Sequence, residues 1–299
     1  MNSSNNKMIK SIISCIIISF LMANLCNGIN IKGDEQKQVN VMNSLPTFPY
    51  DQEIAESFVQ YAYAAYCYGP DIQNWNCTTC KNIPGFNIIS AIFNITTNTQ
   101  AYVGYTNNQV IVSFRGSMDV DSWITNFKFL ETIYPPYPQA KVHDGFYKGW
   151  ASVSSQVKSS IDMALAKCGS NCQQIWVVGH SLGAALATLC VAEVQGWYTL
   201  PAYSYTYGSP RVGDSNFVEY FNQIHKNNYR VVNQHDLVPH VPMEGLLDYH
   251  HVPTEVYYPT NTTYIVCNDS GEDPICSDSV IGLSIYDHLH YFGIPCCCK

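Results

Sequence analysis

The strongest chemical signal in the chain is the run Val177-Val178-Gly179-His180-Ser181-Leu182-Gly183-Ala184-Ala185-Leu186-Ala187. Ile175 to Val178 reads as a buried strand, and the Ala/Leu-rich sequence after Gly183 reads as a helix. Between them stands Gly-x-Ser-x-Gly. A serine forced into a tight strand-to-helix turn holds its hydroxyl clear of the sheet, and the flanking glycines relieve the crowding there. The following helix aims its first N–H groups at the same point, where they stabilise an anion. This context predicts a nucleophilic Ser181.

A serine hydroxyl needs a base, and the base needs a carboxylate to orient it. On a sheet of this kind the chain order is Ser, then Asp, then His. The candidate acids after Ser181 include Asp214, Asp236 and Asp248. Asp214, in Gly-Asp-Ser-Asn-Phe, reads as a helix cap. Asp236 lies just past a strand, in Asn233-Gln-His-Asp-Leu-Val-Pro-His240, and is better placed. The candidate bases are His240, His250, His251, His288 and His290, and spacing alone leaves His288 and His250 level. No metal is expected: the adjacent His250 and His251 cannot both face one ion from regular structure, and no Cys/His spacing suits zinc.

These groups need a scaffold, and its elements are legible. Asp51 to Tyr68 has helical periodicity, and residues 70–87, rich in Asn, Pro, Gly and Cys, read as a stapled loop. Residues 101–105 and 109–114 read as strands flanking Asn107-Asn108. Tyr147 to Lys167 reads as one long amphipathic helix. Strand 203–207, helix 214–225 and strand 229–233 follow. The alternation implies an α/β fold with a largely parallel central sheet and helices on both faces. Function in such sheets collects at the carboxyl ends of the strands, where Gly116-Ser117, Ser181 and the Asp236 loop would converge.

Composition places the chain outside the cytosol. Lys7 and Lys10 precede an apolar run ending near Cys26-Asn27-Gly28, so residues 1–28 read as a signal peptide. The run is shorter than the ~20 residues of a membrane span. Residues 29–50 form an N-terminal extension and 51–299 a single domain. Sequons at Asn76, Asn94, Asn261 and Asn268 agree with export. The expected location is extracellular, or the lumen of a lysosome or vesicle. A net charge of −8, more acidic once the two lysines leave, argues against nucleic acid and against docking driven by anionic lipid.

The chain has 13 cysteines, which in an exported protein read as a disulfide framework. Cys15 and Cys26 leave with the signal. Close spacing suggests Cys77 with Cys80, Cys168 with Cys172, and Cys267 with Cys276. Cys190 lies on the helix behind Ser181 and reads as a buried free thiol. Cys67 is expected to bridge to one of Cys296, Cys297 and Cys298, which leaves two of that run unassigned. A redox role for Cys77-Thr-Thr-Cys80 is disfavoured by its loop setting.

The ordered motifs resemble the class 3 lipases, the family of the secreted fungal triacylglycerol lipases. They are Ile111-Val-Ser-Phe-Arg-Gly-Ser117, Trp123-Ile-x-Asn126, His143-Asp-Gly-Phe146, Gly179-His-Ser-Leu-Gly183, Tyr207-Gly-Ser-Pro-Arg-Val-Gly213, Tyr229-Arg-Val-Val-Asn233, Asp236-Leu-Val-Pro-His240 and Asp287-His-Leu-His-Tyr-Phe-Gly293. The resemblance implies an α/β-hydrolase fold and a Ser181-His288-Asp236 triad. It implies an oxyanion hole from Leu182 N–H and Ser117, whose alternative reading is an ordinary helix N-cap. It implies that residues 118–129 form a lid, in which Val120, Trp123, Ile124 and Phe127 recur at helical spacing. Arg115 and His143 read as scaffold. The activity implied is hydrolysis of acylglycerol esters through an acyl-enzyme at a lipid–water interface, by a monomer without cofactor. The competing readings are a phospholipase A-type hydrolase, a soluble-ester (feruloyl-type) esterase and a non-catalytic lipid-binding relative.

Overall fold

A computed structural model describes residues 48–298 apart from 226, 245 and 246. The signal peptide and nearly all of the 29–50 extension lie outside the described residues. In chain order α1 (Gln52–Ala64) and α2 (Gly69–Gln73) lead into β1 (Asn87–Asn94), β2 (Thr99–Tyr105) and β3 (Gln109–Phe114). Next come α3 (Val120–Thr125), a small ribbon of β4 (Glu131–Ile133) and β5 (Lys141–His143), then α4 (Asp144–Ala151) and α5 (Ser154–Cys168). Strand and helix then alternate through β6 (Gln174–His180), α6 (Leu182–Trp197), β7 (Ala202–Tyr207), α7 (Ser215–Ile224) and β8 (Asn228–Asn233). The chain closes with β9 (Glu255–Tyr258), β10 (Ile265–Val266) and α8 (Ile285–His288).

The eight-stranded sheet runs β1-β2-β3-β6-β7-β8-β9-β10. β3 through β9 are mutually parallel, and antiparallel strands flank them on each side. Because the order never reverses, right-handed crossovers put the connecting helices on one face. Side-chain alternation shows the result. Val110, Val112, Ile175 and Val177 pack with residues of α4, α5, α6 and α7, whereas Ile111, Trp176, Val178, Tyr205 and Tyr207 point the other way. That second face is covered by α1 (Ala55, Phe58, Val59, Ala62) together with the C-terminal Tyr291.

Two sequence expectations change. The helix read across 147–167 is two helices, α4 and α5, separated at Ser152-Val153. The loop read across 70–87 contains the short α2, and its end opens directly into β1. The packed unit also begins earlier than residue 51: Phe48 sits edge-on to Trp176 at 5.1 Å, and Tyr229 donates to the Phe48 carbonyl at 2.6 Å.

Candidate active site

Ser181 occupies the step between β6 and α6 with φ 61° and ψ −132°. A non-glycine residue held there costs about 1–3 kcal/mol and persists only where its surroundings enforce it. The enforcement is visible. Ser181 N–H donates to Tyr207 O on β7 at 2.9 Å, and Ser181 O accepts from Ala184 N–H at 2.9 Å. Gly179 faces Gly183 so closely that a Cβ on Gly179 would lie 2.8 Å from Ala184 N. Leu182 opens α6, so its N–H belongs to the first turn, whose donors have no intrahelical acceptor.

Asp236 follows β8, and His288 ends α8. The imidazole Nδ1 lies 2.9 Å from each oxygen of the Asp236 carboxylate, and both residues have no exposed surface. Asp236 also accepts from Val238 N–H at 2.8 Å and from the Tyr291 hydroxyl at 2.5 Å. α8 is pinned beside it by Ser284 N–H donating to His235 O at 2.7 Å, and by the Asn233 amide donating to Asp287 O at 3.0 Å. Two atoms stay unpaired in this otherwise saturated network: Ser181 Oγ and His288 Nε2, both buried. Buried polar atoms are rarely left so, and when they are, a chemical role is the first explanation to test.

Gly208 adjoins Tyr207, the residue that holds Ser181 N–H. It has φ 57°, and a Cβ there would lie 2.5 Å from Asp236 Oδ2 and 2.8 Å from His288 Nδ1. The anchor of Ser181 and the Asp236–His288 pair thus meet across one residue without a side chain. Burial first, then the Asp236 charge, pushes the Tyr291 phenol well above its ordinary range, so it serves as a neutral donor.

The other candidates sit elsewhere. Asp214 caps α7 by accepting from Phe217 N–H at 2.8 Å. Asp248 accepts from His250 Nε2 at 3.0 Å and from the Ser215 hydroxyl at 2.7 Å, an exposed pair. His251 is buried with its Nε2 donating to Pro239 O at 2.8 Å, and burial holds it well below the usual imidazole range. His240 lies 3.7 Å from Asp278. His290 donates to Tyr286 O at 2.7 Å and stacks on the Tyr286 ring.

Ser117 follows β3 beside the elbow, since a Cβ on Gly183 would lie 2.9 Å from the Arg115 carbonyl carbon. It is not the helix cap: Asp119 caps α3, accepting from Ser122 N–H at 2.9 Å. The helix within 118–129 is confined to Val120–Thr125. Val120 is buried, while Trp123 and Phe127 are half-buried against Phe146, their centroids 6.4 Å and 5.8 Å from its ring. Ile124 is also half-buried, and Asp119 and Asp121 face solvent. His143 holds the far end of this segment, donating from Nε2 to Lys128 O at 2.5 Å while its Nδ1 accepts from Phe146 N–H at 3.2 Å. Arg115 donates to Asn98 O and Oδ1 at 2.8 Å.

Among the described residues the disulfides are Cys67–Cys298, Cys77–Cys80, Cys168–Cys172, Cys267–Cys276 and Cys296–Cys297, with Cys190 free and buried. Asn76, Asn261 and Asn268 are exposed, and Asn94 is half-buried. Sequence reasoning did not single out Gly208, Tyr66, His180 or Tyr291. His180, Gly208 and Tyr291 stood inside quoted motifs, but only the three-dimensional contacts show what they touch.

A parallel sheet with a strand–serine–helix elbow at its carboxyl edge is the α/β-hydrolase architecture. The model for the family described as "Lipase (class 3)" matches residues 111–246. The chain is 31% identical to "Secreted mono- and diacylglycerol lipase 1" of Fusarium solani, over 97% of this chain and 89% of that protein. It is 32% identical to "Lipase" of Rhizomucor miehei over 74% of this chain, a match that spans 62% of that relative's length. The solved structure of R. miehei triacylglyceride lipase superposes with a TM-score of 0.75 at 29% identity, covering 83% of this chain and 97% of that one. The chain belongs to the class 3 lipase family. Among the described residues no helix is long and apolar enough to cross a membrane.

Proposed function

We propose that the protein is an exported serine hydrolase that cleaves acylglycerol esters through an acyl-enzyme. The observation that supports this reading is the fully buried Asp236–His288 pair, with His288 Nε2 and Ser181 Oγ both buried and unpaired. Neutral His288 takes the proton of Ser181 as its oxygen attacks the ester carbonyl. Asp236 fixes the Nδ1–H tautomer and stabilises the imidazolium. Leu182 N–H and Ser117 hold the oxyanion, donors of a kind worth ~10²–10³ in rate each. His288 returns the proton to the leaving alcohol, and water then releases the fatty acid. No step calls for a cofactor.

Residues 118–129 act as the lid. Ser181 and His288 have no exposed surface, so substrate reaches them only after a covering segment moves. Trp123, Ile124 and Phe127, half-buried under an acidic outer surface, are the apolar groups such a movement would offer to lipid. Acylglycerol as substrate is supported by the R. miehei structure, described as a triacylglyceride lipase, and by the F. solani relative, named a mono- and diacylglycerol lipase. Export and action as a monomer at the lipid–water interface complete the reading, with Asn76, Asn94, Asn261 and Asn268 as glycan sites.

The test is hydrolysis of a triglyceride series and a phosphatidylcholine, below and above their solubility limits, with Ser181→Ala as control. That substitution is expected to cost 10⁴-fold or more while leaving the protein folded. A rate that climbs once triglyceride forms an interface supports a lidded lipase. Preference for phosphatidylcholine would make it a phospholipase, and ester hydrolysis untouched by Ser181→Ala would remove the proposed nucleophile.

A further inference from the structure

His180 immediately precedes the proposed nucleophile, yet the mechanism above gives it no task. It has no exposed surface. Its ring stacks on the His288 ring, centroids 4.4 Å apart at 30°. Its Nε2 lies 2.8 Å from His288 O, and its Nδ1 lies 2.8 Å from the Tyr66 hydroxyl. A carbonyl only accepts, so Nε2 carries the proton, Nδ1 is the acceptor and Tyr66 donates. Burial first, and the neighbouring His288 second, keep this imidazole well below its usual range. The ring is therefore neutral, with both nitrogens satisfied.

Tyr66 has a second contact. Its hydroxyl also lies 3.3 Å from His180 O, and its ring packs on Gly116, where a Cβ would lie 2.9 Å from Tyr66 Cζ; Gly116 precedes Ser117 at the turn assigned to the oxyanion. One chain of contacts thus joins three segments that are distant in sequence: the Gly116-Ser117 turn, the strand end that carries Ser181, and the backbone of His288. Tyr63 and Tyr291 close on the His180 ring edge-on at 5.4 Å and 5.8 Å, and the Cys296 and Cys297 sulfurs lie within 4.8 Å of it. The ring has little freedom to tilt.

We propose that Tyr66 and His180 are positioning residues that set the separation between nucleophile, base and oxyanion turn, acting through the His288 carbonyl and the packing of the Tyr66 ring on Gly116. The inference rests on the serine-hydrolase reading. A ring pinned at both nitrogens fixes where the base stands relative to the serine one residue away. It also offers a neutral aromatic face to His288 when that ring becomes cationic, and such a face attracts a cation. A protonated imidazole there would repel it. The contribution belongs to the transition state, so loss should lower kcat and leave KM little changed.

The test uses the full chain and a soluble short-chain p-nitrophenyl ester, which needs no interface. Wild type is compared with His180→Phe, His180→Gln and Tyr66→Phe, each checked for its melting temperature. Displacement of reacting groups by a fraction of an ångström to an ångström is expected to lower kcat about 10²-fold in His180→Phe. The Gln variant, which keeps an N–H for the His288 carbonyl, should recover about tenfold of that loss. Tyr66→Phe removes one oxygen and should lower kcat about tenfold with KM unchanged. If His180→Phe does not fold, Tyr66→Phe decides. Folded variants with kcat within twofold of wild type overturn the proposal. Hydrolysis that survives Ser181→Ala would instead unseat the parent reading.

Discussion

Gly208 is where the site tolerates least. A methyl group there would press on the Asp236 carboxylate and the His288 ring together, at a backbone φ of 57° that side chains rarely adopt. Gly208→Ala is therefore expected to push the acid–base pair away from Ser181 and lower kcat on a soluble ester about 10²-fold or more. The melting temperature should fall only modestly, because the strain is local. An unchanged kcat would mean that the pair has room to move, contrary to its burial. Residues of this kind explain what sequence could and could not reveal. Ser181 was legible because an elbow needs a strand, two glycines and a helix in a fixed order. The choice of Asp236 over Asp214 followed from capping chemistry, and Asp214 does cap α7. His288 and His250 were level on spacing, because the proposed base arrives from a segment whose position depends on the whole sheet. His250 in fact faces an exposed Asp248.

Elements show the same division. The strands around Asn107-Asn108 were readable from alternation, and both form. The break between α4 and α5 was not, because Trp150, Val153, Val157, Ile161 and Ala164 keep helical spacing across it and all remain buried. Periodicity reports a face, not continuity. β1 was hidden because it is an edge strand, largely half-exposed, following a Pro/Gly-rich loop. For α3 the proposal is functional: a six-residue helix with few apolar contacts is a low-stability element and suits a moving cover. Trp123 ties it to the body by stacking on Phe146, centroids 6.4 Å apart. Trp123→Ala should loosen the cover, so hydrolysis of soluble esters rises while the gain at a triglyceride interface shrinks. Measuring both rates checks this, and an unchanged ratio would count against 118–129 as the lid.

At the scale of the whole molecule, stability should depend steeply on acid. His180 and His251 are held well below the usual imidazole range, His225 is pushed down to about 4, and His143 and His240 are lowered, in each case chiefly by burial. Below about pH 6.5 the unfolded chain binds protons that the folded chain refuses, so folding stability falls as pH drops towards 4. Each such histidine contributes at most ~1.4 kcal/mol per pH unit within that window. Asp278, raised to about 6 by burial and by Glu272, works in the opposite sense, favouring the folded state as it protonates. Glu193, raised chiefly by burial, acts in the same sense as Asp278, so five histidines against two carboxyls predict a melting temperature that declines between pH 7 and pH 4.5, and a flat profile would contradict the neutral buried rings.

The non-reversing strand order leaves the second sheet face to α1 and the C-terminal segment, with Cys67–Cys298 clamping the two. Cys298→Ser removes a closure across 231 residues and should cost up to about 5 kcal/mol by the loop-entropy argument, read from denaturant unfolding. That same clamp has a consequence for biosynthesis. Cys67 is translated long before its partner, whereas Cys77 and Cys80 emerge almost at once. In the finished fold the sulfurs of Cys67, Cys77 and Cys298 lie within 4.8 Å of one another, so the early neighbour occupies nearly the same place as the late one. A thiol that pairs with the first sulfur to reach it would trap the nascent chain in the wrong connectivity. Yield of native enzyme should accordingly follow the host's capacity to reshuffle disulfides more closely than its capacity to make them.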